Sequence, residues 1–428
     1  MKVLMFGWEF PPHITGGLGT ACYGLTKALL KQGTDVIFVV PKLYGDEDTM
    51  TMELLNASDV TINLKDVLLK KYWEHFTYME ISSSLLPYTS PEEFTKFYED
   101  NKEFTSETEN SFFSARYQFS GKYGSNLMEE VSRYALVATQ IALNKDFDVI
   151  HAHDWLTYSA GIAAKKISGK PLIVHMHATE FDRSGENINE QVFNIEKNGM
   201  LEADYVITVS NLTRHIVINK YGIPEEKVIT VHNGVEPNEN INLAKYNKTV
   251  KEKIVTFLGR ITYQKGPDYF IEAARKVLKK DHNVRFVMAG SGDLLNKSIR
   301  RVAQLNMAHK FHFTGFLKGE DVDHMFAISD VYVMPSVSEP FGIAPLEAMR
   351  TNVPVIISKQ SGVSEVLKHA IKVDFWDIDA TADAIYGLLN YKALSEMFIK
   401  HGKEEVDNIK WDKAAYNVLQ VYQKSIEH

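Results

Sequence analysis

The chain has a single cysteine, Cys22, among 428 residues. No disulfide can form within it, a cysteine-based metal site is not expected, and the scarcity fits a reducing compartment. Long apolar runs are missing too. Nothing approaches the roughly 20 consecutive apolar residues that span a bilayer. The opening stretch, MKVLMFGWEFPP, is interrupted by Trp8, Glu9 and two prolines before a secretory apolar region or cleavage site can form. A cytoplasmic location without stable membrane insertion is therefore expected. Charge of one sign is also modest. A net charge of -8 argues against a general binder of nucleic acid, so basic residues should matter only locally, where a ligand carries phosphate. No internal repeat is found.

What is present is an ordinary globular composition, with 45% apolar and 24% charged residues. At about 150 residues per domain the length suggests two or three domains. Residues 2–6 read as a buried strand, followed by a glycine-rich turn, a helix over 18–32 and a strand over 35–40. This is a βαβ unit and implies a parallel sheet. Further strands are expected over 149–152, 171–176, 205–209 and 228–231. Residues 236–253 are polar and aperiodic and read as a linker. A second series of strands follows over 254–258, 285–289, 311–314, 331–335 and 353–357, with helices between. The expected class is α/β, with two Rossmann-like, doubly wound domains facing a cleft. Their bounds are 1–236 and 254–410, and a last amphipathic helix lies within 411–428. Residues 45–125 break the rhythm. They read as an insertion, and its aromatics (Tyr72, Trp73, Phe76, Tyr78, Phe94, Phe97 and Phe104) are assigned mainly to packing.

Five segments carry chemistry. Thr15-Gly16-Gly17-Leu18-Gly19-Thr20 follows the first strand and opens a helix. It is either a tight turn or an anion site, but it is no P-loop, because no Lys-Ser/Thr pair follows. His151-Ala152-His153-Asp154-Trp155 ends a strand and sets a carboxylate beside imidazoles, which suits sugar hydroxyls. A zinc cluster of His153, His175 and His177 is the competing reading, and a metal is not favoured. In His175-Met176-His177, alternation puts both rings on one face, with His177 near the strand end. His175 is expected to be buried and satisfied by backbone. Gly259-Arg260-Ile261-Thr262-Tyr263-Gln264-Lys265-Gly266 brings two cations towards one point, as a diphosphate requires. In Glu339-Pro340-Phe341-Gly342-Ile343-Ala344-Pro345-Leu346-Glu347 the first glutamate belongs on a loop and the second on a helix begun by Pro345. A carboxylate there can accept both hydroxyls of a vicinal diol.

These residues resemble a known family. The Glu339…Glu347 spacing, the Arg260 and Lys265 pair, and Ala289-Gly290-Ser291-Gly292 followed by Thr314-Gly315-Phe316-Leu317 are similar to the retaining, GT-B-fold glycosyltransferases. The first half is similar to glycogen and starch synthases through Gly16-Gly17-Leu18-Gly19, Tyr123-Gly124-Ser125-Asn126-Leu127-Met128 and the His151–Trp155 segment. The resemblance implies transfer of glucose from UDP- or ADP-glucose to the non-reducing end of an α-1,4-glucan. No cofactor or metal is implied, because two cations do a metal's work. It further implies that Arg260 and Lys265 hold the diphosphate and Glu347 the ribose. Glu339 touches the hexose, helped by amides around Phe341, Gly342 and Ile343. The Phe316 backbone meets the base, Gly17 approaches the phosphates, His177 sits by the reacting sugar, and Asp154 lies on the acceptor side. The leaving phosphate would take the acceptor proton. The family's Lys-x-Gly-Gly-Leu loop is here Ile14-Thr15-Gly16-Gly17-Leu18, so its lysine is absent and the donor base stays open. A lipid-linked or exopolysaccharide acceptor is the alternative, and a non-catalytic sugar-binding module is a weaker one. A phosphorylase would need a pyridoxal-phosphate lysine, which is not identified. An oligomer is compatible with all of these readings.

Overall fold

The computed structural model describes residues 1–14, 16–47, 52–63, 114–124, 126–236, 245–246 and 248–427. Thr15, Ser125, part of the linker and the aromatics of the expected insertion lie outside these residues.

Two parallel sheets form the molecule. The first contains β1 (Lys2–Phe6), β2 (Asp35–Val40), β3 (Glu53–Asn56), β6 (Val149–His153), β7 (Leu172–Met176), β8 (Tyr205–Thr208) and β9 (Val228–Thr230), in the order β3-β2-β1-β6-β7-β8-β9. The short pair β4 (Ile62–Asn63) and β5 (Ser114–Ala115) stands apart and is antiparallel. The second sheet contains β10 (Lys253–Leu258), β11 (Val284–Ala289), β12 (Phe311–Gly315), β13 (Val331–Met334), β14 (Val355–Ser358) and β15 (Ile371–Val373). Its order is β12-β11-β10-β13-β14-β15. Central strands such as β1 and β6 are buried on both faces, which is why they read as apolar runs rather than as alternation.

Two strands of the main sheets went unread in the sequence, as did the short β4–β5 pair. The β3 strand falls inside the expected insertion, yet it pairs in register with β2 from Ile37↔Glu53 to Val40↔Asn56. It is a partly buried edge strand carrying Glu53 and Asn56, so it lacks the apolar run that marks its neighbours. The three-residue β15 is too short to show a period. The strand expected over 353–357 begins at Val355. The Pro354 carbonyl accepts from the Tyr332 amide, and proline itself has no amide to give the ladder.

In each sheet the strand order reverses beside the first strand of the series: between β1 and β6, and between β10 and β13. At such a point the connections leave towards opposite faces, and a crevice opens beyond the strand ends. The glycine-rich segment follows β1 and the His151–Trp155 segment ends β6. The Arg260–Lys265 loop follows β10 and the Glu339 loop follows β13. All four segments thus emerge at the two reversal points.

The last helix, Trp411–Ile426, packs on the first sheet's core rather than the second. Trp411, Ala415, Val418 and Tyr422 join Val3, Leu25, Leu29 and Phe38 there. Trp411 lies against the helix Gly17–Lys31 at Gly24, where an added Cβ would sit 2.2 Å from its indole nitrogen. No helix among the described residues is long and apolar enough to cross a membrane. Gly24→Ala should gain about 1 kcal/mol of helix propensity but lose about 1–3 kcal/mol to overpacking. The expected outcome is a net loss of up to about 2 kcal/mol in denaturant unfolding. A more stable variant would show that the last helix is not docked at this contact.

Candidate active site

The β6 and β7 strands end in a stack of four imidazoles. Side chains alternate along each strand, so His151 and His153 share a face with His175 and His177 of the neighbouring strand. Ring centroids are 4.2 Å apart for His151 and His153, and 4.3 Å for His175 and His177. His153 Nδ1 lies 3.0 Å from His177 Nε2, and His151 Nδ1 lies 2.5 Å from the Tyr422 hydroxyl of the last helix. His175 is buried as expected, but no backbone group satisfies it: both its ring nitrogens lack a hydrogen-bond partner among the described residues. Burial pushes the His177 pKa down to about 3, so its ring is neutral at pH 7.

The lone cysteine does not stand apart from this cluster. The helix that opens at Gly17 carries Cys22 back over the strand ends, where one donor atom each from Cys22, His153 and His177 lie within 4.8 Å of one another. The expectation that cysteine takes no part in any metal-type donor group is corrected in this respect. The reason is tertiary, since Cys22 lies 131 positions before His153 on a different element.

Asp154 takes φ 63°, a left-handed conformation unusual for a residue with a side chain. Its amide donates to the His175 carbonyl, and its carboxylate caps the following helix through the Trp155 amide at 3.0 Å. Burial raises its pKa, and the charges of Arg183 and, from the second domain, Arg260 pull it back. Arg260 therefore stands near enough to Asp154 for its field to be felt across the cleft. Gly17 lies exposed at the start of the first helix, whose N-cap Gly16 offers no side chain to the open amides.

On the other wall, Arg260 is exposed and makes no salt bridge among the described residues. Its loop packs tightly on the loop after β11. Gly290 has φ 142°, and a Cβ there would lie 1.9 Å from the Gly259 carbonyl oxygen, so only glycine lets the two loops approach. Lys265 Nζ pairs with Glu339 at 2.5 Å, and Ser336 donates to the same Glu339 oxygen at 3.0 Å. Glu339 is on the loop and Glu347 in the first turn of the helix Ala344–Arg350, as the proline pattern predicts. Among the described residues the Glu347 carboxylate has no hydrogen-bond partner, and the Phe341, Gly342 and Ile343 amides donate no hydrogen bond. Burial raises the Glu347 pKa. The Phe341 side chain is buried, while that of Phe316 is 53% exposed. The Thr262 hydroxyl is buried without a partner between the two cations.

Several residues that shape the site escaped the sequence reading. Thr179 and Asp182 form a capping box that fixes the short helix Glu180–Ser184 just past His177. That signal is legible as Thr179-Glu180-Phe181-Asp182. Asp182 then accepts from the Ser338 hydroxyl of the second domain at 2.5 Å, next to Glu339. Arg183 is held by Glu180 and Glu196, and donates to the Ala178 carbonyl at 2.9 Å. Glu365 of the second domain accepts from the Asn211 and Leu212 amides and from His232, tying the domains together near the linker. Nothing local in the sequence marks these long-range pairs.

Burial pushes Glu196 up to about 7 from an ordinary value near 4.5, against the pull of Arg183 and a hydrogen bond from Tyr221. The folded chain therefore keeps a proton that the unfolded chain gives up between these values. This contribution to stability is present below pH 4.5 and lost as the pH rises through about 7. The melting temperature of the wild type should fall across this window relative to that of Glu196→Gln, which has no proton to lose. Parallel profiles for the two proteins would contradict the assignment.

The chain matches the family described as the starch synthase catalytic domain over residues 2–231. It matches that described as glycosyl transferases group 1 over residues 238–405. It is 29% identical to an uncharacterized glycosyltransferase of Methanocaldococcus jannaschii, over 100% of this chain and 99% of the relative. It is 24% identical to a glycogen synthase of Mycobacterium tuberculosis, over 99% of this chain and 94% of the relative. Its fold is similar to that of the catalytic domain of starch synthase IV from Arabidopsis thaliana bound to ADP and acarbose. The TM-score is 0.67 at 17% identity, covering 100% of this chain and 99% of that one. Two parallel-sheet domains with reversal points facing one cleft are the GT-B architecture. The first match spans more than half of the chain and contains all three first-domain segments, and the second contains both donor-side segments. The chain therefore belongs to the starch synthase catalytic-domain family within the glycogen/starch synthase-like glycosyltransferases, and it is an enzyme of that class.

Proposed function

We propose that the enzyme is a retaining glucosyltransferase that moves glucose from UDP- or ADP-glucose to the non-reducing end of an α-1,4-glucan. The observation that carries this reading is the meeting of an arginine without a salt bridge and a carboxylate without a hydrogen-bond partner among the described residues, beside a lysine–carboxylate pair, at the second reversal point, opposite Asp154 and His177. A nucleotide sugar needs a cation for its diphosphate, an acceptor for its ribose diol and polar contacts for its hexose. Arg260 supplies the first, Glu347 the second, and Glu339 with the free amides of residues 341–343 the third. The Phe316 backbone is assigned to the base. Lys265 neutralises buried Glu339 and keeps further N–H groups for phosphate. Gly17 stands where the first helix's open amides meet the same anion.

The chemistry needs charge stabilisation more than a nucleophile. As the bond from the anomeric carbon to phosphate breaks, negative charge grows on the diphosphate and positive charge on the sugar ring. Arg260 and Lys265 stabilise the first, at positions fixed by the packed loops, so little reorganisation is required. Neutral His177 has one N–H and one lone pair, which suits hydrogen bonding to the transferred sugar rather than proton donation. No protein group is required to accept the acceptor's proton, because the departing phosphate oxygen lies beside it in a front-side displacement. Asp154, held in a strained conformation, is assigned to the acceptor.

A lipid-linked or exopolysaccharide acceptor is less well supported. Lys27 and Lys31 of the first helix, which would offer a basic face to a membrane, pair with Glu236 and Asp412.

A panel of nucleotide sugars, assayed for diphosphate release with and without glycogen, tests the proposal, and the product anomer tests retention. Release should depend on glycogen and be greatest with UDP- or ADP-glucose. Arg260→Ala should lower turnover about 100–1000-fold, the usual cost of one transition-state donor. Glu347→Ala should chiefly raise the donor KM. Wild-type turnover by Arg260→Ala on every nucleotide sugar that the native enzyme accepts would sink the donor-site assignment.

A further inference from the structure

The imidazole stack is not explained by transfer chemistry. One neutral histidine near the sugar would serve; here four rings are packed together with several ring nitrogens lacking partners, and the chain's one thiol is beside them. His153 is wholly buried, and its Nε2 makes no hydrogen bond among the described residues. Cys22 is 1% exposed. Donor atoms of Cys22, His153 and His177 lie within 4.8 Å of one another, and the two histidines already approach to 3.0 Å.

We propose that Cys22, His153 and His177 form a binding site for a thiophilic divalent cation of the zinc class, and that its occupation blocks the sugar end of the cleft. A tetrahedral zinc centre, with bonds of about 2.0–2.3 Å, sets its donor atoms on the order of 3.3–3.7 Å apart. The observed spread is wider, so the side chains would have to close in on a bound ion. Sulfur with two imidazole nitrogens selects zinc, cobalt, nickel or copper, and not magnesium or calcium, which take oxygen ligands. The fourth position would open towards the cleft, because His177 is the half-exposed member of the three. A second trio, His151, His153 and His175, shares one ligand with the first, but all its members are buried and His151 is engaged by Tyr422. The Cys22 trio is therefore the one an ion can reach. Binding the ion needs the thiol proton to leave to solvent and involves no redox step. Because His177 is assigned to the transferred sugar, the bound ion and the sugar compete for it.

Since Cys22 is the only cysteine, every thiol readout reports on this site. Zinc chloride titrated into the full-length chain should bind with one-to-one stoichiometry and slow the alkylation of Cys22 by iodoacetamide. Cobalt chloride should give the charge-transfer absorption of a cobalt–thiolate bond. Changes outside the first coordination shell typically cost about 10–100-fold in affinity, so loss of a direct ligand in Cys22→Ser should weaken zinc by at least about tenfold. Basal diphosphate release by that variant should be unchanged. Zinc should inhibit the wild type at concentrations that leave Cys22→Ser active. Equal zinc affinity in the two proteins, unprotected Cys22, or a cobalt spectrum without the thiolate band would each overturn the proposal. The alkylation and cobalt measurements need neither the variant nor turnover, so they judge this site even if the donor or acceptor assignment fails.

Discussion

Every polar group of the cleft depends on one constraint: a parallel sheet buried on both faces can place charged side chains only beyond its strand ends. Within the strands a buried charge would be costly, and the imidazoles that do sit there, His151, His153 and His175, are kept uncharged by burial. At the strand ends the chain leaves the sheet, and where neighbouring connections diverge a crevice is left unfilled. This chain has two such points, beside β1 and beside β10, and they are turned towards each other. Arg260, Lys265, Glu339, Asp154 and His177 stand at these points.

Their arrangement also sets how the charges interact. The Lys265–Glu339 pair offsets a buried carboxylate, and Ser338, one residue earlier, reaches Asp182 in the first domain. The donor-side loop is thus joined to the helix after His177 by one hydrogen bond. Arg183 holds that helix from below through Glu180 and Glu196. Glu365 clasps the amides of Asn211 and Leu212, and the last helix returns to the first sheet, where Tyr422 meets His151. Relative domain placement rests on these polar contacts, on the apolar docking of Trp411 and on the packing of Val209 and Val235 against the second domain's core.

The fold was legible wherever hydrophobic periodicity was strong. The central strands, the two series and the last helix, Trp411–Ile426, all follow from apolar runs and turn residues, because both-face burial demands such runs. The edge strands β3 and β15 were not legible, since an exposed edge tolerates polar residues and short length. In the site, Glu339 and Glu347 were correctly divided between loop and helix by Pro340, Gly342 and Pro345, whose backbone limits are local. The pairing of Lys265 with Glu339 was not visible, nor was the roles' dependence on Arg183 and Ser338, because these contacts join residues distant along the chain.

The sequence by itself determined the class of the protein: local backbone chemistry and periodicity specify two α/β units, and the charged segments fall at their strand ends. Tertiary structure alone decided which of those groups meet. It left Arg260 without a salt bridge among the described residues while tying up Lys265, gathered four imidazoles on one face, and carried Cys22 to them. The physical reason is that strand order and helix crossing, which bring residues from different elements within bonding distance, are set by packing of the whole core and leave no mark at any one position.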